Sequence, residues 1–262
     1  MTKIPAEQHF ATFVQIVRRL RAECPWDREQ THQSIRHSLI EEAYEVVEAI
    51  DERNMEELKL ELGDLLLHVA LHSVIAEEEK EFTLNDVLKA VNDKLVRRHP
   101  HVFGSAKAGS TRDVKANWEK LKLAEGRTSI IDGIPKELPA LLRAHRMQEK
   151  ASKVGFDWTN KEDAWKKVEE EIEELQGAEK TKRQSEVEVE FGDLLFALVN
   201  YARFLHINPE LALRNSTMKF EKRFKEVEKE LKRRGKQPAE STLEEMDEIW
   251  NHVKDGPTPQ RS

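Results

Sequence analysis

Eight acidic residues of this chain form two sets of four with the same internal spacing. The first set is Glu42, Glu45, Glu61 and Asp64; the second is Glu171, Glu174, Glu190 and Asp193. Each set opens on a Glu-x-x-Glu pair and closes on a Glu-x-Gly-Asp run. Nineteen positions separate Glu42 from Glu61, and nineteen separate Glu171 from Glu190. Residues three apart on a helix share one stripe, about 60° round the axis. Each pair therefore presents two carboxylates side by side. Four carboxylates that meet in space repel one another unless cations sit between them, because an unpaired buried charge is costly. Oxygen-only ligation suits a hard divalent cation, Mg²⁺ foremost and Mn²⁺ as the alternative. Zinc fits less well, since no cysteine or histidine recurs at ligand positions.

The cations that follow the acids repeat too. Lys94 and Arg98 stand four apart in the first half, as Lys219 and Arg223 do in the second. On one helical face they could hold phosphate oxygens, the lysine as a point charge and the arginine as a fork. Near the end of each half come Trp118 with Lys122, and Trp250 with Lys254. These offer a stacking surface and one more phosphate contact. A carboxylate-held Mg²⁺ usually takes its remaining ligands from water and substrate phosphates, so the set predicts metal-assisted chemistry on a phosphorylated substrate. The bland reading of each piece is a solvated acidic face, surface charge pairs and core tryptophans. The duplication of the whole constellation favours a site. Gly63 and Gly192 recur beside the acids, each at a cost of about 1 kcal/mol relative to alanine in a helix; their reuse predicts close approach of a helix or ligand.

The elements that must carry these residues read as helices. Strand signals are scarce, with two tyrosines and no alternating β-branched run between tight turns. Thr83, Ser110, Thr159 and Ser241 each precede an acid by three residues, the pattern of an N-cap. Val14, Val17 and Leu20 take helical spacing, as do Ala43, Val46, Val47 and Ile50. Around Glu61 and Asp64, and again around Glu190 and Asp193, the helix is apolar on most sides, which predicts burial with the acids facing either another polar helix or a cleft. Gly126, Gly133 and Pro135 interrupt the pattern. The expected organisation is an all-α tandem duplication: an N-terminal domain over 1–125, a linker over 126–135, a C-terminal domain over 136–255 and a disordered tail over 256–262.

Composition narrows the function classes. The 262 residues are 35% charged and carry a net charge of −7, which disfavours a general nucleic-acid-binding role. A single cysteine, Cys24, cannot form an internal disulfide, so a reducing compartment, the cytoplasm, is expected. No apolar run is long enough to span a membrane and no signal peptide is evident, so no membrane partner is expected.

Taken with Cys24-Pro25-Trp26-Asp27, Arg97 to Phe103 and Gly155-Phe156-Asp157-Trp158, the acid pattern resembles the two-domain MazG nucleoside triphosphate pyrophosphohydrolases over nearly the whole chain. The acid pattern alone is shared with dUTPases and phosphoribosyl-ATP pyrophosphohydrolases; the flanking motifs narrow it. The resemblance implies a helical bundle that forms a homodimer. It also implies Mg²⁺-dependent cleavage of nucleoside triphosphates to monophosphate and pyrophosphate. On this sequence it implies that Glu171, Glu174, Glu190 and Asp193 hold the metal and carry catalysis. Glu170, Lys219, Arg223, Trp250 and Lys254 would contact nucleotide, with the C-terminal half the more active. One departure is Glu186, which stands where a basic residue is expected. The first half keeps Glu42, Glu45, Glu61, Asp64, Lys94, Arg98, Trp118 and Lys122, with no chemical reason in the sequence for inactivity.

Two other readings stand beside this one. A di-iron carboxylate bundle needs Glu-x-x-His pairs; His68 and His72 follow Asp64, but the second copy has Ala197 and Tyr201 there. A nucleotide-binding regulatory or scaffold protein would keep the sites while one or both halves lack turnover.

Overall fold

A computed structural model describes residues 5–105, 109, 110, 114, 129–181 and 183–255. The chain divides into two compact units, Met1–Lys122 and Leu123–Ser262. Among the described residues every regular element is helical, the all-α architecture that the cap signals and spacing predict.

The first unit holds α1 (Ala6–Glu23), α2 (Pro25–Glu29), α3 (His32–Glu52), α4 (Met55–Glu78), α5 (Leu84–Arg98) and α6 (Pro100–Phe103). A capping box opens α3: the Ser34 amide donates to Thr31 Oγ1 and the Thr31 amide to Ser34 Oγ. The helix ends at Arg53, whose φ of 56° is left-handed, and Asn54 Oδ1 accepts the Glu57 amide to start α4. Two residues reverse the chain, so α3 and α4 pack side by side in opposite directions. Glu45 lies eight residues before Arg53 and Glu61 seven after Asn54. With equal rise along both helices, the two come level, roughly 12 Å from the turn. Val17, Ile35, Ala70, Leu71, Val74 and Ile75 form a hydrophobic core in this unit, flanked by Phe13 and Leu67. Thr83 caps α5 as predicted, accepting the Asp86 amide.

The second unit holds α7 (Ala140–Ser152), α8 (Lys161–Thr181), α9 (Gln184–Phe204), α10 (Pro209–Arg233), a 3₁₀ turn (Pro238–Glu240) and α11 (Leu243–Asp255). The acids are again split between two helices that pack on each other, Glu171 and Glu174 on α8 and Glu190 and Asp193 on α9. Gln148, buried on α7, donates to the Phe196 carbonyl (2.8 Å) and ties α7 to α9. Buried Lys150 donates to the Asp132 carbonyl (2.6 Å), so part of the segment read as a linker is bonded to α7. Val227, Leu231 and Ile249 form a small core between α10 and α11, with Met246, Trp250 and Val253 against it.

Several expectations are corrected. The caps of α8 and α11 sit one residue later than Thr159 and Ser241. Asn160 Oδ1 accepts the Asp163 amide (2.9 Å), and Thr242 Oγ1 accepts the Glu245 amide (3.2 Å). Neighbouring polar residues compete for this role, and the one whose oxygen meets the amide wins. The start read at Ser110 lies largely outside the described residues, as does the tail from Gly256. A Cβ built on Gly63 or Gly192 meets nothing within 4 Å, so no described group crowds either glycine. Nor are α4 and α9 covered all round. Leu62, Leu66 and Val69 on α4, and Phe191, Leu195, Phe196 and Leu198 on α9, are exposed, because α3 covers one side of α4, and α7 and α8 cover part of α9. No helix among the described residues is long and apolar enough to cross a membrane.

Candidate metal centres

The α3–α4 pair brings three of the first four acids together. One oxygen from each of Glu42, Glu45 and Glu61 lies within 4.8 Å of the others. Glu61 is buried and Glu42 half-buried, while Glu45 is exposed. Asp64 stands outside this trio, yet its charge acts on both Glu42 and Glu61. Burial, the charge of Glu45 and a hydrogen bond with Glu57 push Glu61 up to about 7. Burial, Glu45 and Asp64 raise Glu42, against the opposing hydrogen bond with Glu61. A cluster whose members hold protons against one another is electrostatically incomplete, and a divalent cation would supply the missing charge.

The α8–α9 pair repeats the arrangement with Glu171, Glu174 and Glu190. Glu171 is buried, and its Oε2 has no hydrogen-bond partner. Its Oε1 pairs with Lys167 Nζ (2.7 Å), which also reaches Glu170 (2.6 Å). Those hydrogen bonds, to Glu170 first, raise the Lys167 pKa. Burial and the charge of Glu171 raise Glu174, with Lys167 opposing. Asp193, one turn beyond Glu190, is exposed and outside the trio. A carboxylate oxygen buried without a partner, beside two more carboxylates, fits a hard cation by its donor chemistry.

Of two neighbours of these acids, the sequence reading missed Lys167 and weighed the other, His68, only as a di-iron ligand. Lys167 precedes Glu171 by four residues, a spacing that marks helix neighbours; Ser38 holds that place in the first copy. His68 stands one turn after Asp64, and its Nε2 is 3.9 Å from Glu42 Oε1. Burial lowers the His68 pKa, opposed by Asp64 and aided by His37.

Apart from Glu170, the predicted nucleotide contacts among the described residues fall on other helices. Arg223 on α10 lies over the Trp250 ring of α11 (5.8 Å), and Phe220 packs on the same ring. Lys219 and Lys254 are exposed on those two helices, and Glu170 is exposed on α8. Lys94 is exposed and Arg98 half-buried on α5. Trp118 and Lys122 lie outside the described residues. Glu186 pairs with Arg183 (2.8 Å) and accepts from Thr181 Oγ1 (3.0 Å), so the departure from a basic residue comes with an arginine three positions away. Arg203 forks onto Asp157 of the Gly-Phe-Asp-Trp run, with one limb at 2.9 Å, and also donates to Asn200. That anchors the motif to α9, a role its residue types alone did not disclose.

The raised carboxyl pKa values carry a sign. A carboxyl with a folded pKa above its unfolded value favours folding most at low pH, and that contribution fades as pH rises through the folded pKa. For Glu61 the window runs from 4.5 to about 7. Metal-free protein is expected to melt at progressively lower temperature as pH rises across this window. Added Mg²⁺ should restore more at pH 8 than at pH 5, where protons compete for the same oxygens. Calorimetry with chelator and with Mg²⁺ at both pH values checks this; an equal metal effect at the two would contradict it.

Comparison with known proteins bears on this arrangement. The profile described as "MazG nucleotide pyrophosphohydrolase domain" matches twice, over residues 30–103 and 160–228, spans that include both acid sets. A Thermotoga maritima protein named "Nucleoside triphosphate pyrophosphohydrolase/pyrophosphatase MazG" is 46% identical over 252 residues, covering 94% of this chain and 96% of that one. The Escherichia coli K12 nucleoside triphosphate pyrophosphohydrolase is 43% identical over 249 residues, 93% of this chain and 95% of that one.

Proposed function

Because the chain belongs to the MazG nucleotide pyrophosphohydrolase family, we propose that it hydrolyses nucleoside triphosphates, ribo- or deoxy-, to the monophosphate and pyrophosphate with Mg²⁺ as its cofactor. The observation that carries this reading is the duplicated carboxylate trio with the buried, unpartnered Oε2 of Glu171. Glu171, Glu174 and Glu190 would hold the ion, and Asp193 would join them from one turn along α9. When bound, the ion neutralises phosphate oxygens and acidifies water for attack at phosphorus. Lys219 and Arg223 offset charge on the phosphates. Trp250, in contact with Arg223 and Phe220, would offer a stacking surface for the base. A carboxylate not engaged with the ion accepts the attacking water's proton. In the first half Glu42, Glu45, Glu61 and Asp64 would form the second metal centre, with Lys94 and Arg98 toward phosphate.

A nucleotide panel with Mg²⁺ in ¹⁸O-labelled water tests the reading. The label is expected on the monophosphate, in equal yield with pyrophosphate. Diphosphate plus orthophosphate, or label only in pyrophosphate, would overturn it. Binding of nucleotide without turnover would favour the regulatory alternative.

We also propose a homodimer through the uncovered faces of α4 and α9. Phe191 is 54% exposed and Phe196 46%. Covering such side chains stabilises by about 25 cal/mol per Å² of apolar area. Sedimentation should show twice the 30.5 kDa chain mass; a monomer that persists across micromolar concentrations would rule the dimer out.

A further inference from the structure

Two histidines tie the end of the α3–α4 pair that lies farthest from its turn. His32 is the first residue of α3 and His72 stands on α4; their Nδ1 atoms are 2.7 Å apart and their ring planes differ by 3°. Such a bond needs one N–H to donate and one bare nitrogen to accept, so one of the two rings must keep its Nδ1 unprotonated. Glu79 Oε2 is 3.8 Å from His32 Nε2, which favours a first proton on His32 while that ring donates to His72. A second proton, on His72, would set two N–H groups against each other and two like charges side by side. His72 Nε2 is buried with no hydrogen-bond partner, so nothing there offsets the added charge. Burial first, then the charges of His32 on α3 and His68 on α4, hold the His72 pKa below its usual 6.5; α5, which also packs on α4, contributes none of these charges. From α1, Arg18 and Arg21 are taken up by Glu77 and Glu78 (2.8 and 2.9 Å).

The second copy is tied differently. The offset of 129 positions that relates Glu42 to Glu171 carries His32 to Lys161 and His72 to Tyr201. Tyr201 meets Trp165 of α8 instead, with ring centroids 4.9 Å apart. Of these side-chain types only histidine ordinarily changes charge between pH 5 and 8. We propose that His32 and His72 are an acid-sensitive clamp that positions the first acid-bearing helix pair: the Nδ1–Nδ1 bond holds the start of α3 on α4 while at least one ring is neutral, and parts when both are protonated, whereas the aromatic tie of the second half is indifferent to pH. The clamp stands on packing and does not depend on a bound metal. A base with a depressed folded pKa stabilises fully above the unfolded 6.5, and that contribution is lost as pH falls through the folded value. Glu61 acts in the opposite direction, so a loosening at low pH is not its effect.

Hydrogen exchange of the full-length chain, followed by mass spectrometry from pH 8 to pH 5 with chelator present and rates corrected for their intrinsic pH dependence, tests the clamp. Residues 31–37 and 69–76 report on it, and residues 160–166 and 198–204 of the second half are the reference in the same sample. Protection of the first two segments should fall by about fivefold, the scale of one lost hydrogen bond, while the reference changes by less than about twofold. His72→Gln, whose side chain takes no proton in this range, should exchange faster at pH 8 and lose most of the response to pH, and His32→Gln should do the same. Protection of the first half that holds down to pH 5, an equal fall in both halves, or a full pH response surviving in His72→Gln would overturn the clamp. The wild-type comparison decides the matter alone if a variant does not fold. No arm uses nucleotide or metal, so failure here leaves the proposed hydrolysis standing.

Discussion

Glu171→Gln is expected to lower nucleotide turnover by about a hundredfold to a thousandfold, the scale on which removing one preorganised electrostatic group acts. Glutamine keeps the size of the side chain and removes its charge. The carboxylate it replaces is buried, has one oxygen without a partner, and belongs to a trio with few other ligands. The substitution also removes the charge that Lys167 pairs with on Glu171 and leaves that ammonium on Glu170, so metal affinity and activity should fall together. Asp193→Asn should act in the same direction. Glu42→Gln and Asp64→Asn should change turnover less, because the resemblance assigns most activity to the second half. Steady-state kinetics at saturating Mg²⁺, with circular dichroism to show retained helix, distinguishes the cases. Loss of activity from the first-half substitutions alone would reverse the assignment, and comparable losses would mean two working sites.

Leu231→Ala is expected to cost about 2–5 kcal/mol of stability, the range for emptying a buried leucine site. Leu231 is 0% exposed and touches Val227 and Ile249 in the core that joins α10 to α11. That core is small, so few neighbours can move in to fill the space. Trp250 packs against it, and the face proposed for the base depends on where that ring is held. Denaturation by urea should therefore show an earlier transition, and nucleotide KM should rise with it. Lys229→Ala on the same helix, which removes only an exposed pair with Glu226, should leave the transition near wild type. Equal shifts from the two substitutions would show that the α10–α11 core does not limit stability.

Much of this protein is legible along the chain because it is local. Helical periodicity and cap-forming residues announce the helices, and a three-residue interval places Glu42 with Glu45 and Glu61 with Asp64 on single stripes. The nineteen-residue interval is legible for the same reason. Two helices joined by a two-residue turn must bring positions equally far from it level with one another. The sequence by itself therefore determined the all-α class, the duplication and the facing of the two acid pairs. What the tertiary structure decided depends on which neighbour reaches a site, and residue type does not contain that. Only packing places the His68 ring against Glu42 and leaves Lys167 on Glu171, so that two identical acid patterns acquire opposite surroundings. Packing also leaves Phe191 and Phe196 uncovered on a helix whose composition reads as buried, since a hydrophobic pattern specifies that a face needs cover but not which body supplies it. The caps at Asn160 and Thr242 follow the same rule: adjacent polar residues offer equivalent oxygens, and the geometry of the arriving chain selects between them.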